Sequence, residues 1–252
     1  MPTQLPGIQL YSLKSNMEKD PWSTLKILSE MGYALVESYE GPEGFLWGKT
    51  PEEFKKQLRD LGLSAIGAHI DVFEKFEEKL DMALIAGMPY LVCPWLGSSE
   101  DPDFYKKALE RLILCGHKCK EAGIRLAYHN HDYSFRKIKD WSPISYFLEQ
   151  SDPCILSFEM DVYWVIKAQE SPIGWIEKYP DRWPLLHIKD RHKTMVDETC
   201  TLGQGDIEYQ SLLKEIPDLE NKYCIIEQEH FQGKDPLYAM KGNIEKLRTI
   251  LF

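Results

Sequence analysis

Long apolar runs are missing from this 252-residue chain, and no stretch approaches the ~20 apolar residues that a membrane-spanning helix needs. A bilayer span is therefore not expected. Cysteine is scarce: six residues (Cys93, Cys115, Cys119, Cys154, Cys200, Cys224) and no C-x-x-C spacing. That pattern argues against a disulfide scaffold or a cysteine metal site and predicts buried free thiols in a reducing compartment. Positive charge is in deficit, with 30 Lys and Arg against 40 Asp and Glu and a formal net charge of −10. Such a surface repels phosphate backbones and anionic headgroups, so neither nucleic acid nor a membrane is an expected partner. No G-x-G-x-x-G follows the first strand-like segment and no G-x-x-x-x-G-K-[ST] occurs, which removes the dinucleotide and P-loop fingerprints. A basic leader is absent as well. MPTQLPGIQLYSL enters a strand-like run at once, so a cytoplasmic protein is expected.

What the chain does have is an apolar share of 43% with 12% aromatics, enough for a large core and incompatible with disorder. Its punctuation is legible. A capping residue followed by proline recurs at Asp20-Pro21, Thr50-Pro51, Asp101-Pro102, Ser142-Pro143, Ser171-Pro172 and Asp235-Pro236. At each, the side-chain oxygen can accept from an unpaired N–H while proline fits the first helical turn. Gly32, Gly62, Gly87 and Gly123 close amphipathic runs just before apolar segments, as glycines past a helix end do. Helical periodicity places Phe104, Ala108, Leu112, Cys115 and Cys119 on one core face, and Phe76, Leu80, Ala83 and Leu84 on another.

Eight short apolar segments alternate with these helices, at 7–13, 34–40, 63–70, 90–96, 124–131, 155–161, 184–190 and 223–229. Their spacing is that of parallel βα units. Eight units in one chain of this length predict an α/β fold of the (β/α)8 TIM barrel kind, as a single domain over 1–252. The least regular stretch, 191–208, is expected to pack over the site as a long loop.

Each strand-like segment runs from apolar to polar, ending in Glu37, His69, His129 and His131, Asp161, His187 and Lys189, or Glu227 and Glu229. One polar residue at a strand end is commonly just solvated. Repetition over most strands is different, because a barrel brings its C-terminal strand ends to one mouth. Asp161, His187, Glu227 and one of His129 or His131 make an N/O ligand set suited to one divalent metal ion, Mn, Mg or Zn. Glu159 shares parity with Asp161 one layer deeper, where a carboxylate needs a partner, and it reads as support to a ligand or to Lys189.

The segments GIQLYSL at 7–13, GAH at 67–69, AYHNHDYSF at 127–135, FEMDVYW at 158–164, HIKD at 187–190, LGQGDIEY at 202–209 and IIEQE at 225–229 resemble, in order, the xylose isomerase-like barrels of sugar phosphate isomerases and epimerases. Inosose dehydratases and endonuclease IV are related to that family. The resemblance implies a metal held by Glu, Asp, His and Glu from strands five to eight, and the last three match Asp161, His187 and Glu227. His129 stands where the fifth-strand glutamate is expected. Family epimerases use two glutamates on opposite faces of the reacting carbon, so the loss of one questions that two-base scheme here. A family histidine three residues after the aspartate is Trp164 in this chain.

The resulting expectation is a metal-dependent sugar isomerase or epimerase that transfers a proton next to the carbonyl of a keto-sugar or related polyol. Glu227 would be the base beside the metal, with His131, Lys189 or Glu37 opposite. His69, Trp47, Trp95, Trp164 and Arg191 would contact a small-molecule carbohydrate. Elimination of a β-substituent, as a lyase or dehydratase, is the runner-up, and a non-catalytic sugar-binding barrel is the remote alternative. Phosphodiester hydrolysis is disfavoured by Trp164 and by the acidic surface. Lys189, Arg191 and Lys193 gather after strand seven, where barrels often hold phosphate, but acidic Asp206 and Glu208 follow the glycine turn at 203–205. A neutral, unphosphorylated substrate is expected, and a homo-oligomer is compatible with this reading.

Overall fold

The computed structural model describes residues 5–251. Eight parallel strands close into a barrel: β1 Gly7–Gln9, β2 Leu35–Tyr39, β3 Ser64–His69, β4 Tyr90–Cys93, β5 Arg125–His129, β6 Leu156–Asp161, β7 Leu185–Ile188 and β8 Tyr223–Ile226. Neighbours follow chain order, and β8 pairs with β1 through Gly7↔Ile225 and Ile8↔Ile226 to complete the ring. Helices lie between successive strands, the longest being Pro102–Ala122 and Pro236–Leu251. The (β/α)8 expectation holds.

All six proline-marked helix starts form. The Asp20, Thr50, Asp101, Ser142, Ser171 and Asp235 side chains each accept from a backbone N–H of the first turn. Gly32 ends its helix in the left-handed region at φ 95°, where a side chain would be strained. The core stripes differ slightly from expectation. In Phe76–Ala86 the buried positions are Phe76, Lys79, Leu80, Ala83 and Ala86, and Leu84 is exposed because it falls on the solvent edge of that stripe. In Pro102–Ala122 the stripe centres on Tyr105, Leu109 and Leu112, leaving Phe104 half-buried.

Strand parity divides the barrel into an outside and an inside. Outward residues such as Val36, Ala68, Leu91, Leu126, Tyr128, Phe158, Leu186 and Ile226 join the helices in the main core. Inward residues form two layers. Leu35, Ile66, Tyr90, Val92, Ala127, Leu185 and Ile225 make a separate apolar cluster in the lower half. Above it, one pleat further along the strands, the inward residues turn polar.

The 191–208 stretch does not cover the mouth. Asp190–Arg191 and Thr199–Cys200 pair as a short antiparallel hairpin, and Asp190 accepts from the N–H groups of Gly203, Gly205 and Ile207. A Cβ at Gly205 would collide with the Asp190 carboxylate and the Arg191 carbonyl, so the loop closes there only through glycine. The segment is thereby held beside β7 and β8, and its glycine N–H groups are spent on Asp190. Among the cysteines, all free, five are buried and Cys154 is exposed. No helix among the described residues is long and apolar enough to cross a membrane.

Candidate active site

The upper inward layer is a closed set of carboxylates and imidazoles. Glu159 Oε2 accepts from His69 Nε2 and His129 Nδ1, both at 2.8 Å. Glu37 Oε2 accepts from Gln9 Nε2 at 2.8 Å and His187 Nε2 at 2.7 Å, with His69 Nε2 at 3.2 Å. Burial alone would raise both glutamates. For Glu159 it is assisted by the neighbouring Glu37, but His187, His69 and His129 outweigh them and hold it at about 2. Glu37 is likewise drawn well below the usual carboxylate range by His69 and His187. Conversely burial opposes charging of His69, yet Glu37 and Glu159 raise it to about 9, and His187 is raised as well. Burial wins at His129, which is held neutral. The layer therefore balances two carboxylates against two imidazoliums around one neutral ring.

This arrangement fixes which nitrogen of each histidine points upward. His129 spends Nδ1 on Glu159 and turns Nε2 toward Asp161 Oδ2, 3.8 Å away. His187 spends Nε2 on Glu37 and directs Nδ1 at Glu227 Oε2, at 2.9 Å. Metal-binding histidines have the same arrangement, with one ring nitrogen held by a carboxylate and the other free for the ion. The deep Glu159 is support, as its parity implies, for His69 and His129 rather than for Lys189.

His129, Asp161, His187 and Glu227 are all buried, and their donor atoms lie within 4.8 Å of one another. Lys189 Nζ sits beside them, 3.0 Å from Asp161 Oδ2, 2.8 Å from Glu227 Oε2 and 2.6 Å from Glu229 Oε1. Asp161, Glu227 and Glu229 thus share one ammonium. Asp161 Oδ2 accepts no well-directed hydrogen bond, and burial pushes this carboxyl up to about 6 despite Lys189. A buried carboxylate short of positive charge, with nitrogen and oxygen donors converging beside it, fits a divalent cation. Ligands must be deprotonated, so such an ion would displace the Nδ1 proton of His187.

Above the cluster opens a cavity of about 600 Å³. His69, His129, His131, Lys189, Glu227 and Glu229 line it together with Trp95 and Tyr39. His131 lies just past the end of β5, packed against Trp95 and Trp164 at ring-centroid distances of 4.8 and 5.2 Å. Burial and the nearby Lys189 lower it to about 3, and its Nδ1 is buried without a partner. Trp164 backs His131 and Lys189 rather than facing the cavity, and its backbone N–H donates to Asp161 Oδ1 at 3.1 Å.

Besides Trp164, three expected residues are not brought to the cavity. Trp47 is buried over Gly41, edge-on to Tyr39, with its indole N–H given to Ser38 Oγ at 3.1 Å. Arg191 is turned away and engages both oxygens of Asp206, at 2.9 and 3.0 Å. Glu37 lies beneath His187 and His69, so it has no face for a substrate. In turn, Gln9, Glu40 and Asp71 were not picked out by sequence. Gln9 ends β1 with the parity of Glu37 in β2, which was a usable signal. Glu40 and Asp71 follow β2 and β3 and line the cavity, Glu40 being paired with Lys79 at 2.7 Å.

Comparison with known proteins shows what the chain as a whole resembles. An inosose dehydratase from Geobacillus kaustophilus is 22% identical over 259 residues, covering 85% of this chain and 80% of that one. A crystal structure of a sugar phosphate isomerase/epimerase from Parabacteroides distasonis superposes with a TM-score of 0.84 at 25% identity, over 99% of this chain and 96% of its own. The IOLI protein, crystallised with a zinc atom, shares the fold at a TM-score of 0.77 and 14% identity, over 98% and 97% of the two chains. The sequence profile of the xylose isomerase-like TIM barrel family matches residues 25–250, and the chain belongs to that family.

Proposed function

We propose that this protein is a metal-dependent isomerase or epimerase of a neutral keto-sugar or related polyol, acting by proton transfer at the carbon next to the carbonyl. The observation that carries the reading is the position of Glu227. This carboxylate belongs to the ligand-type cluster and also lines the cavity, 2.8 Å from the Lys189 ammonium. His129, Asp161, His187 and Glu227 would hold one Mn²⁺, Mg²⁺ or Zn²⁺, and the zinc atom in the crystal structure of the IOLI protein supports such a cofactor. Bound there, the ion supplies Lewis-acid polarisation of a carbonyl and so acidifies the neighbouring C–H.

The chain's own groups do the rest. Glu227 stays ionised because Lys189 and His187 outweigh its burial, so it is ready to accept a proton. Lys189 stays an ammonium because Asp161, Glu227 and Glu229 outweigh its burial, so it offers positive charge to the enediolate that proton removal leaves. His131, uncharged and lining the cavity, is the candidate for handling a proton on the other face. Trp95, 56% exposed at the rim, offers a ring for stacking on a sugar.

A dehydratase is the second reading, favoured by one observation: the neighbouring carboxylates Asp161 and Glu229 are both engaged by Lys189, which leaves an ammonium and imidazoles beside Glu227. That set suits a base and an acid acting on one substrate face, and relatives named inosose dehydratase accord with it. Incubation of the Mn²⁺-loaded protein in deuterium oxide with a panel of keto-sugars and inososes, followed by mass spectrometry, separates the cases. One deuteron gained without loss of water supports isomerisation or epimerisation. Loss of water supports the dehydratase. Turnover with neither outcome sinks both, and tight binding without turnover leaves a sugar-binding barrel.

A further inference from the structure

The cavity above the cluster does not end at β1. A second cavity of about 390 Å³ is lined by the Tyr11–Asn16 segment that follows β1, by Glu229–Phe231 after β8, and by Pro236. Both cavities are lined by Tyr11 and Glu229, so they meet at those two side chains. Because β8 and β1 are neighbours in the barrel while Trp95 follows β4 on the far side, the second cavity adjoins the first on the side away from Trp95. The two lie side by side at the mouth, the first reaching Trp95 and the second the segments that follow β1 and β8.

The chemistry of the second cavity is that of a sugar-ring site. Tyr11 is 42% exposed and held edge-on by Tyr39 at 5.2 Å, so its ring is fixed where the two cavities join. Phe231, half-buried, also lines the cavity. Among the described residues, the Tyr11 hydroxyl, Ser15 Oγ and the Asn16 amide enter no hydrogen bond, which leaves donors and acceptors for hydroxyl groups. Lys14 holds its ammonium 5.6 Å from the Tyr11 ring centroid, and Glu229 is paired with Lys189. Aromatic faces with neutral hydrogen-bonding groups suit an uncharged ring better than a phosphate.

We propose that this second cavity is a subsite for the second ring of a glycoside, so that the substrate is a neutral two-ring sugar whose reacting ring lies over the Asp161–Glu227 cluster. The proposal rests on the carbohydrate reading above and adds the size and form of the ligand to it. The test is calorimetry on the Mn²⁺-loaded protein with one-ring probes, glucose and myo-inositol, and two-ring probes, cellobiose, maltose and trehalose. At least one two-ring probe is expected to bind tenfold or more tightly than either one-ring probe, a difference of about 1.4 kcal/mol. That ratio should fall toward one in Ser15→Trp, which fills the cavity, and in Tyr11→Ala, which removes its aromatic wall. Amide NMR shifts at Ser15, Asn16 and Phe231 should move only with two-ring probes. Equal binding of both probe sets, or a ratio unchanged in both variants, overturns the subsite and leaves the carbohydrate reading intact. Absence of binding by every probe overturns the subsite, whereas the carbohydrate reading falls only if the keto-sugars and inososes of the deuterium experiment also fail to bind.

Discussion

Leu35, Ala127, Leu185 and Ile225 point into the lower half of the barrel; two residues further along the same strands stand Glu37, His129, His187 and Glu227. The backbone, curvature and burial are shared, and only the side chains differ. The lower layer gains from removal of apolar surface, which is non-directional, so each side chain contributes nearly independently. In the upper layer every group is tolerated because another satisfies it. Glu159 is safe in the interior only while His69 and His129 donate to it, and His187 keeps its orientation only while Glu37 holds Nε2. A hydrophobic layer is a sum, whereas a polar one is a set of mutual conditions.

The sharpest way to break the comparison acts on chemistry. Glu227→Gln keeps the size of the side chain but removes both the ligand charge and the base, so turnover should fall by ~10²–10⁴-fold. Bound metal, counted by elemental analysis, should fall with it. Full stoichiometry and full turnover would refute the role given to Glu227. Next comes the upper layer's stability. Glu159→Ala strips a buried partner from His69 and His129 and should cost ~3–5 kcal/mol in urea denaturation. The contrasting Leu185→Ala, a cavity in the lower layer, should cost ~2–5 kcal/mol. Double mutation distinguishes the layers better than either single value. Glu159→Ala with His129→Ala should be far from additive, and Leu185→Ala with the more distant Leu58→Ala should add within ~0.5 kcal/mol.

A smaller effect concerns pH. In the metal-free protein His69 holds its proton more tightly folded, with a value raised to about 9, than in an unfolded chain at the usual 6.5. Its stabilising contribution is therefore complete below pH 6.5 and is lost as pH rises through 9. Glu159, lowered from 4.5 to about 2, works in the opposite direction, its contribution being present above 4.5 and lost as pH falls through 2. Denaturation midpoints measured across both windows check the two signs, and His69→Gln should flatten the alkaline limb. The smallest effect is expected of Arg191→Ala. Its pair with Asp206 lies on the outer side of the loop, partly exposed, and is worth ~0–1 kcal/mol. Ligand affinity should be unchanged, and a tenfold loss would return Arg191 to the substrate site.

The same contrast explains what could be read from sequence. Local rules with one physical cause were legible: six cap-proline helix starts, four closing glycines, and the parity that places Glu159 one layer below Asp161. Parity along a strand sets direction inside a barrel whatever the neighbours do. The choice between His129 and His131 needed three dimensions, because β5 ends at His129 and the chain then turns into the Asp132–Phe135 helical turn, which puts His131 on the cavity wall. Trp47 and Arg191 lie close in sequence to strand ends, yet a bend at Gly41–Gly44 and a carboxylate at Asp206 turn them elsewhere. Those turns depend on partners remote from either residue, which no spacing reveals. Leu84 shows the limit of periodicity: four residues past a buried leucine is enough to reach the edge of a stripe.

The free thiols described with the fold make the chain its own probe of local opening. Cys154 is open to solvent, while Cys93, Cys115, Cys119, Cys200 and Cys224 are buried in β4, the Pro102–Ala122 helix, the hairpin beside the mouth and β8. Burial also raises the acid constants of the buried five, to about 11 for Cys115 and about 12 for the others, so little thiolate forms while they stay covered. A maleimide should attach once per native chain, at Cys154, and further adducts should appear only as separate parts of the barrel breathe. The order in which mass spectrometry finds them would give the sequence of local unfolding events, one strand or helix at a time, without any engineered label.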